Sequence, residues 1–434
     1  FSRRRRHTRL LTQSRGLGDV YKRQHMSDPK NDFTRRNVGI DLFRALTMFV
    51  MIFVNDFWKI HDVPRWLDHA RRGEDFLGLA DVVFPLFLFA VGLSIPFAIE
   101  RRFSKGMSGE STIGHILSRT LALLVMGAFI TNSEARLSPE VPYRIGVYWL
   151  LMVTAFILIW NHYPRSDDPG RKGLYRFLKI AGVIILFYLA VTFRNPDGGV
   201  FGARWGILGS IGWTYLICAL IYVYTRDRLK YLLPVWIAFV LICILGTRMN
   251  EAWGETAILS LPRGNFYNEM LRILHLGNGA LPAFTMGGVI LSLLSTKYRQ
   301  APVQKRALYA IAAVAVFFLA GLISRRFWIL AKIGATPTWV FFVTAIAIGT
   351  YAILSWMAVK GKAYWFNIIK PAGTATLTCY LIPYVWYAFA DITGYVLPYS
   401  LTHGFIGIIK CLIFAFMIIS LTYLSGRIHI KLKI

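Results

Sequence analysis

Apolar runs of 17 to 23 residues recur along the whole chain, each closed by a short polar or charged segment. They lie at 38–54, 79–99, 112–131, 143–161, 175–193, 209–225, 231–247, 278–296, 307–324, 338–359, 365–387 and 404–425. A helix rising about 1.5 Å per residue needs roughly 20 such residues to cross a hydrocarbon core. The pattern therefore predicts an all-α, polytopic integral membrane helical bundle of about 10 to 12 transmembrane helices. The sixth and seventh runs are parted only by RDRLK, and the eleventh is interrupted by Pro371 and Pro383. Pro85 and Pro96 fall inside the second run, where the backbone groups they free must find partners in neighbouring helices or a cavity.

Composition agrees with that class. Hydrophobic residues make up 56% and charged residues 16%, and no soluble domain of this length could cover so much apolar surface. The net charge of +27 would ordinarily raise the question of a nucleic-acid partner. The basic residues, however, are gathered in short loops (ERRFSKG, RKG, RDRLK, KYRQAPVQKR, KGK and the RIHIKLK tail), whereas the alternate loops mix both signs. That is the positive-inside pattern, so no nucleic-acid partner is expected and both termini are expected to be cytoplasmic. Residues 1–25 are basic and Ser-rich, lack an apolar core and read as adapter-derived, non-native sequence, with Met26 as the expected start of a single transmembrane domain, 26–434. Setting them aside lowers the net charge to +20. The four cysteines all lie within apolar runs and lack metal-ligand spacing, so they read as packing residues and no metal is expected.

Candidate chemistry concentrates between Val54 and Val91. One apolar run ends at Asn55, a polar loop carries His61 and His69, and the next run opens with Asp81 near its start. An imidazole can take a proton at neutral pH, and a carboxylate, from Asp68 or Asp81, can fix its tautomer. An amide such as that of Asn55 can donate to a developing oxyanion. The same residues also fit a solvated loop. At the inner end of the first run, Asp41 and Arg44 share a helix face, and Arg119 lies near the inner end of the third. These charges fit structural pairing or snorkelling, and equally a site for an anionic phosphate. Lys410 is a further intramembrane cation that lacks an obvious partner in the sequence, although Asp391 could reach it. Trp58, Trp66, Trp160, Trp205 and Trp213 fall near the expected interfaces, as amphipathic aromatics do.

The segments GIDLFRALTMFVMIFVN, HA and ADVVFPLFLFAVGLSI, in that order, resemble the transmembrane acyltransferases related to heparan-α-glucosaminide N-acetyltransferase, especially their bacterial members. Weaker matches follow in YRIGVYWLL, LPAFTMGGVIL, KIGATPTWVFF and PAGTATLTCYL. The resemblance implies an acetyl-CoA-dependent N- or O-acetyltransferase of the bacterial inner membrane. It would use acetyl-CoA as co-substrate and pass the acetyl group to a carbohydrate acceptor on the periplasmic side. His69, Asn55 and Asp81 would be catalytic, and Asp41 and Arg44, with Arg119, would bind the cofactor. The lipid bilayer is the other expected partner, and a homodimer is allowed. The chain departs from the eukaryotic pattern in the RRGEDFLG stretch between His69 and Asp81, and it lacks a glycine run before His69. Both departures leave the acceptor open. The alternative class is a secondary transporter, which a dozen spans with prolines would also suit.

Overall fold

The computed structural model describes residues 37–134, 137–164, 166–259, 266, 270–271 and 275–434. Residues 1–25 and the expected start at Met26 lie outside them. Among the described residues the chain is built from α-helices with short 3₁₀ turns and isolated bridges, and no β-strand. We number the helices α1 (Val38–Asn55), α2 (Leu79–Phe103), α3 (Gly109–Glu134), α4 (Ile145–Trp160), α5 (Pro169–Thr192), α6 (Gly206–Thr225) and α7 (Leu229–Gly246). They continue as α8 (Ala280–Lys297), α9 (Val303–Ser324), α10 (Pro337–Val359), α11 (Phe366–Thr374), α12 (Thr376–Thr393) and α13 (Gly404–Arg427). Ten of these are long and apolar enough to cross a membrane; α4 is shorter, and α11 and α12 divide the eleventh expected span.

Local sequence explains where several helices start. The Asn37 side chain caps α1 by accepting from the Ile40 amide at 3.3 Å. Thr336 caps α10 with Pro337 at its first position, and Asp168 with Pro169 does the same for α5. The eleventh span breaks at Ala375, four residues after Pro371, and both Pro371 and Pro383 remain inside helices. Pro85 and Pro96 likewise sit within a continuous α2.

At the centre, α1 touches α2, α10, α11, α12 and α13. Helix α2 lies against α8 so closely that a Cβ on Gly92 would strike the Thr285 carbonyl, and one on Gly288 the Phe89 carbonyl. With no hydrophobic force to join helices in lipid, such backbone approach through small residues is what packs them. By contrast α9, packed on α10, buries only Gly321 and Ser324 and turns an apolar surface outward. All four cysteines are free and buried, in keeping with a packing role.

Helices alternate in direction, so the loops sort to two ends. The loop 56–78 shares its end with 325–336 and 394–403: Phe76 N–H donates to the Leu330 carbonyl, and His61 N–H to that of Thr402. The C-terminal tail lies at the opposite end, where His162 N–H donates to Lys431.

One sequence expectation is corrected here. Lys410 pairs with Asp56, its Nζ donating to Oδ2 at 2.6 Å, while the Tyr387 hydroxyl donates to Oδ1 at 3.0 Å. Asp391 instead accepts the Gly146 amide at 2.9 Å. A carboxylate as buried as Asp56 needs a cation in contact, and Lys410 reaches it across the α1–α13 packing. Lys410→Met should therefore cost about 3 to 5 kcal/mol, because it strands a buried charge. Asp56→Asn combined with Lys410→Met should lose much less. Denaturation midpoints in detergent compare the two; equal losses would refute the pairing.

Candidate active site

Asp81 is the third residue of α2, and its carboxylate turns back over the start of the helix. Oδ2 accepts the Gly78 amide at 3.3 Å and the Ala70 amide at 2.8 Å. This caps the helix and places a negative charge where the helix dipole favours one. Gly78 is required at this point, since a Cβ there would collide with the Asp68 carbonyl. The loop 65–70 can thus lie directly on the helix start.

Oδ1 of the same carboxylate faces Nδ1 of His69 at 2.7 Å. The Asp81 side chain is 1% exposed and the His69 side chain 51%. An ionised carboxylate only accepts, so the contact puts the imidazole proton on Nδ1 and leaves the Nε2 lone pair free. Asp68, the other sequence candidate for orienting the ring, instead accepts the His69 backbone amide at 2.7 Å.

The RRGEDFLG stretch holds this loop in place. Glu74 pairs with Arg65 and accepts the Arg71 amide at 2.8 Å, and Arg65 also donates to the His69 carbonyl at 2.6 Å. Asp75 takes Arg325 through Nε at 3.0 Å and Nη2 at 2.9 Å, and accepts the Leu330 amide at 2.7 Å. The 56–78 loop is thereby fastened to the 325–336 loop, which carries Lys332.

Lys332 and Trp339 are site residues that reading the sequence for chemistry missed. Lys332 Nζ lies 3.3 Å from His69 Nδ1 and 3.8 Å from Asp81 Oδ1, and the Trp339 indole donates to the Asp81 carbonyl at 3.2 Å. Burial pushes the Lys332 ammonium below the ordinary lysine pKa, and Asp81 acts in the opposite sense. Both residues belong to KIGATPTWVFF, and the available signal was a lysine at the mixed-charge end of a span. They also line a cavity of about 660 Å³ with Phe84, Trp205, Trp213, His275 and Asn278. Trp205 and Trp213, expected as interface anchors, form its wall, with Trp213 stacked on His275 at 3.9 Å between ring centroids.

The first third of the chain decides the relationship. Residues 36–165 match the family model described as heparan-alpha-glucosaminide N-acetyltransferase, catalytic. Through those residues the chain is similar to this family. It is 27% identical over 164 residues to the heparan-alpha-glucosaminide N-acetyltransferase of Mus musculus, covering 35% of this chain and 24% of the relative. Against the Homo sapiens protein of the same name, identity is 30% over 149 residues, covering 31% of this chain and 21% of the relative. The matched part thus spans about a quarter of the length of these relatives. The matched segment contains Asp41, Arg44, Asn55, His69, Asp81 and Arg119, whereas Lys332 and Trp339 lie beyond it.

The structure joins His69 and Asp81 by a direct hydrogen bond. Asn55 is exposed at the end of α1 and makes no side-chain hydrogen bond among the described residues. Asp41, Arg44 and Arg119 lie about 20 Å away, judged by helical rise, at the other end of the bundle. There Arg44 donates to Thr376 Oγ1 at 3.4 Å, with Asp41 and Arg119 as charged neighbours. Arg119 covers the Tyr215 ring at 4.7 Å, and its Nε is buried with no hydrogen-bond partner among the described residues. Arg102 and Lys433 join Arg119 around His115, which makes this end strongly cationic.

Asp75→Ala should release both loops together. Hydrogen exchange is expected to accelerate in 62–78 and in 325–336 in parallel; acceleration in one segment alone would contradict a shared clamp.

Proposed function

We propose that this chain is a membrane-embedded acyltransferase that passes an acetyl group from cytoplasmic acetyl-CoA to an amine or hydroxyl of a sugar on the periplasmic side of a bacterial inner membrane. The observation that carries this reading is the His69–Asp81 pair: a buried carboxylate fixing a half-exposed imidazole with Nε2 free. The names of the relatives supply the class of reaction. In it, Nε2 takes the proton of the acceptor N–H or O–H as the acceptor attacks the thioester carbonyl. The C–S bond breaks, CoA leaves as thiolate and is protonated, and the acetyl group remains on the acceptor. Asp81 steadies the imidazolium that forms between these steps. Asn55, exposed at the same end, is the amide offered to the tetrahedral oxyanion.

The opposite end suits the nucleotide. Arg44, Arg119 and the neighbouring Arg102 and Lys433 supply cations for the phosphates, and Arg119 Nε is a donor without an acceptor among the described residues. Density of basic residues in the short loops at that end supports its cytoplasmic placement, with both termini on that side. A coenzyme lying between the two ends would bring its thioester to His69 by its pantetheine arm.

Release of CoA thiol from acetyl-CoA, measured with a panel of amino sugars and glycans, tests the reading. Wild type should show acceptor-dependent release and His69→Gln should lose at least about a hundredfold. Near-normal transfer by His69→Gln would sink it, and so would a wild type that neither binds CoA nor releases thiol. Arg44→Gln and Arg119→Gln should chiefly raise KM for acetyl-CoA, with KM for the acceptor unchanged.

A further inference from the structure

We infer that Lys332 is a positioning residue whose ammonium keeps the His69 imidazole neutral, and therefore basic at Nε2, against the pull of the Asp81 carboxylate. This rests on the reading of His69 as the base. The family match does not reach Lys332, and the inference comes from geometry.

A carboxylate 2.7 Å from an imidazole favours the imidazolium, which cannot accept a proton. Lys332 Nζ sits 3.3 Å from Nδ1. Nδ1 already directs its hydrogen at Asp81, so it has no lone pair for the ammonium and the two groups meet as like charges once the ring is protonated. Repulsion at that distance opposes protonation, and Lys332 also draws on the same Oδ1 at 3.8 Å, weakening its hold on an imidazolium. The two contacts thus act on the ring in opposite senses.

The other charges around the ring are largely matched among themselves. Arg65 has Glu74 and, at 3.9 Å, Asp68; Asp75 has Arg325. His275 lines the same cavity as Lys332 but is stacked on Trp213. Asp81 and Lys332 are thus the opposed pair that acts on the ring. Lys332 is held there by the clamp: Leu330 donates to Asp75, Phe76 donates to Leu330, and Ala335 N–H closes a turn onto the Lys332 carbonyl at 2.9 Å.

The test reads His69 protonation without relying on turnover. Diethylpyrocarbonate modifies neutral imidazole, and its rate at His69, followed by peptide mass spectrometry across pH in detergent, gives a midpoint; His69→Gln identifies the peptide. Lys332→Met and Lys332→Gln should raise that midpoint by about 1 pH unit, making modification roughly tenfold slower below both midpoints. Lys332→Arg, which keeps the charge, should restore the wild-type midpoint, and Asp81→Asn should lower it. An unchanged midpoint in both neutral variants overturns the inference, as does a failure of arginine to rescue. The acid limb of acyl transfer should move with the midpoint. If the midpoint shifts while His69→Gln still transfers acetyl, the hold of Lys332 on the ring stands and the base assignment falls.

Discussion

Every feature of the candidate site follows from the cost of keeping one carboxylate ionised at 1% exposure. A buried charge persists only where donors converge on it. Asp81 collects two backbone amides, a histidine ring and a lysine. Those donors come from the 56–78 and 325–336 loops and the charge sits at the start of α2, so it obliges three separate parts of the chain to meet. The geometry of the candidate site and the local fold are the same set of bonds. The same rule governs Asp56 with Lys410 and Tyr387, and Glu100 with Arg226 and Tyr222.

How much of this was legible in the sequence depended on the range of the interaction. All twelve apolar runs have helical counterparts, because length and hydropathy are local properties that a bilayer imposes directly. The break in the eleventh fell at Ala375 rather than at a proline, since proline can remain in a helix when neighbours satisfy the freed carbonyl. His69 and Asp81 are 12 residues apart and could be paired by eye. The partner of Lys410 could not, because Asp56 lies 354 residues away and nothing in the sequence prefers it to Asp391. Lys332 was hidden for the same reason, lying 263 residues from His69.

The RRGEDFLG stretch shows how a departure from a family pattern acquires meaning only in three dimensions. In sequence it reads as an insertion where an acceptor would bind. In the structure Glu74 and Asp75 are both occupied, one folding the loop on itself and the other fastening it to Arg325. Acidic residues already committed to internal cations contribute little field to a ligand. The charge facing the adjoining cavity is therefore chiefly that of Lys332, framed by Trp205, Trp213 and Trp339.

A base must be reachable and also held still, and these demands conflict on a loop. Half exposure of His69 keeps Nε2 accessible, while ordering a solvated loop would ordinarily cost about 1 to 2 kcal/mol of backbone entropy for each residue fixed. The chain resolves the conflict by placing mobility and contact on different atoms. Nδ1, the His69 backbone amide and its carbonyl are all engaged, by Asp81, Asp68 and Arg65 respectively. Only the far edge of the ring is left to solvent. Because Asp81 also caps α2, loosening the ring would mean loosening a membrane-spanning helix, whose packing through Gly92 and Gly288 tolerates little movement. The rigidity of the bundle is thus carried through one carboxylate to the ring whose free nitrogen the proposed proton transfer uses.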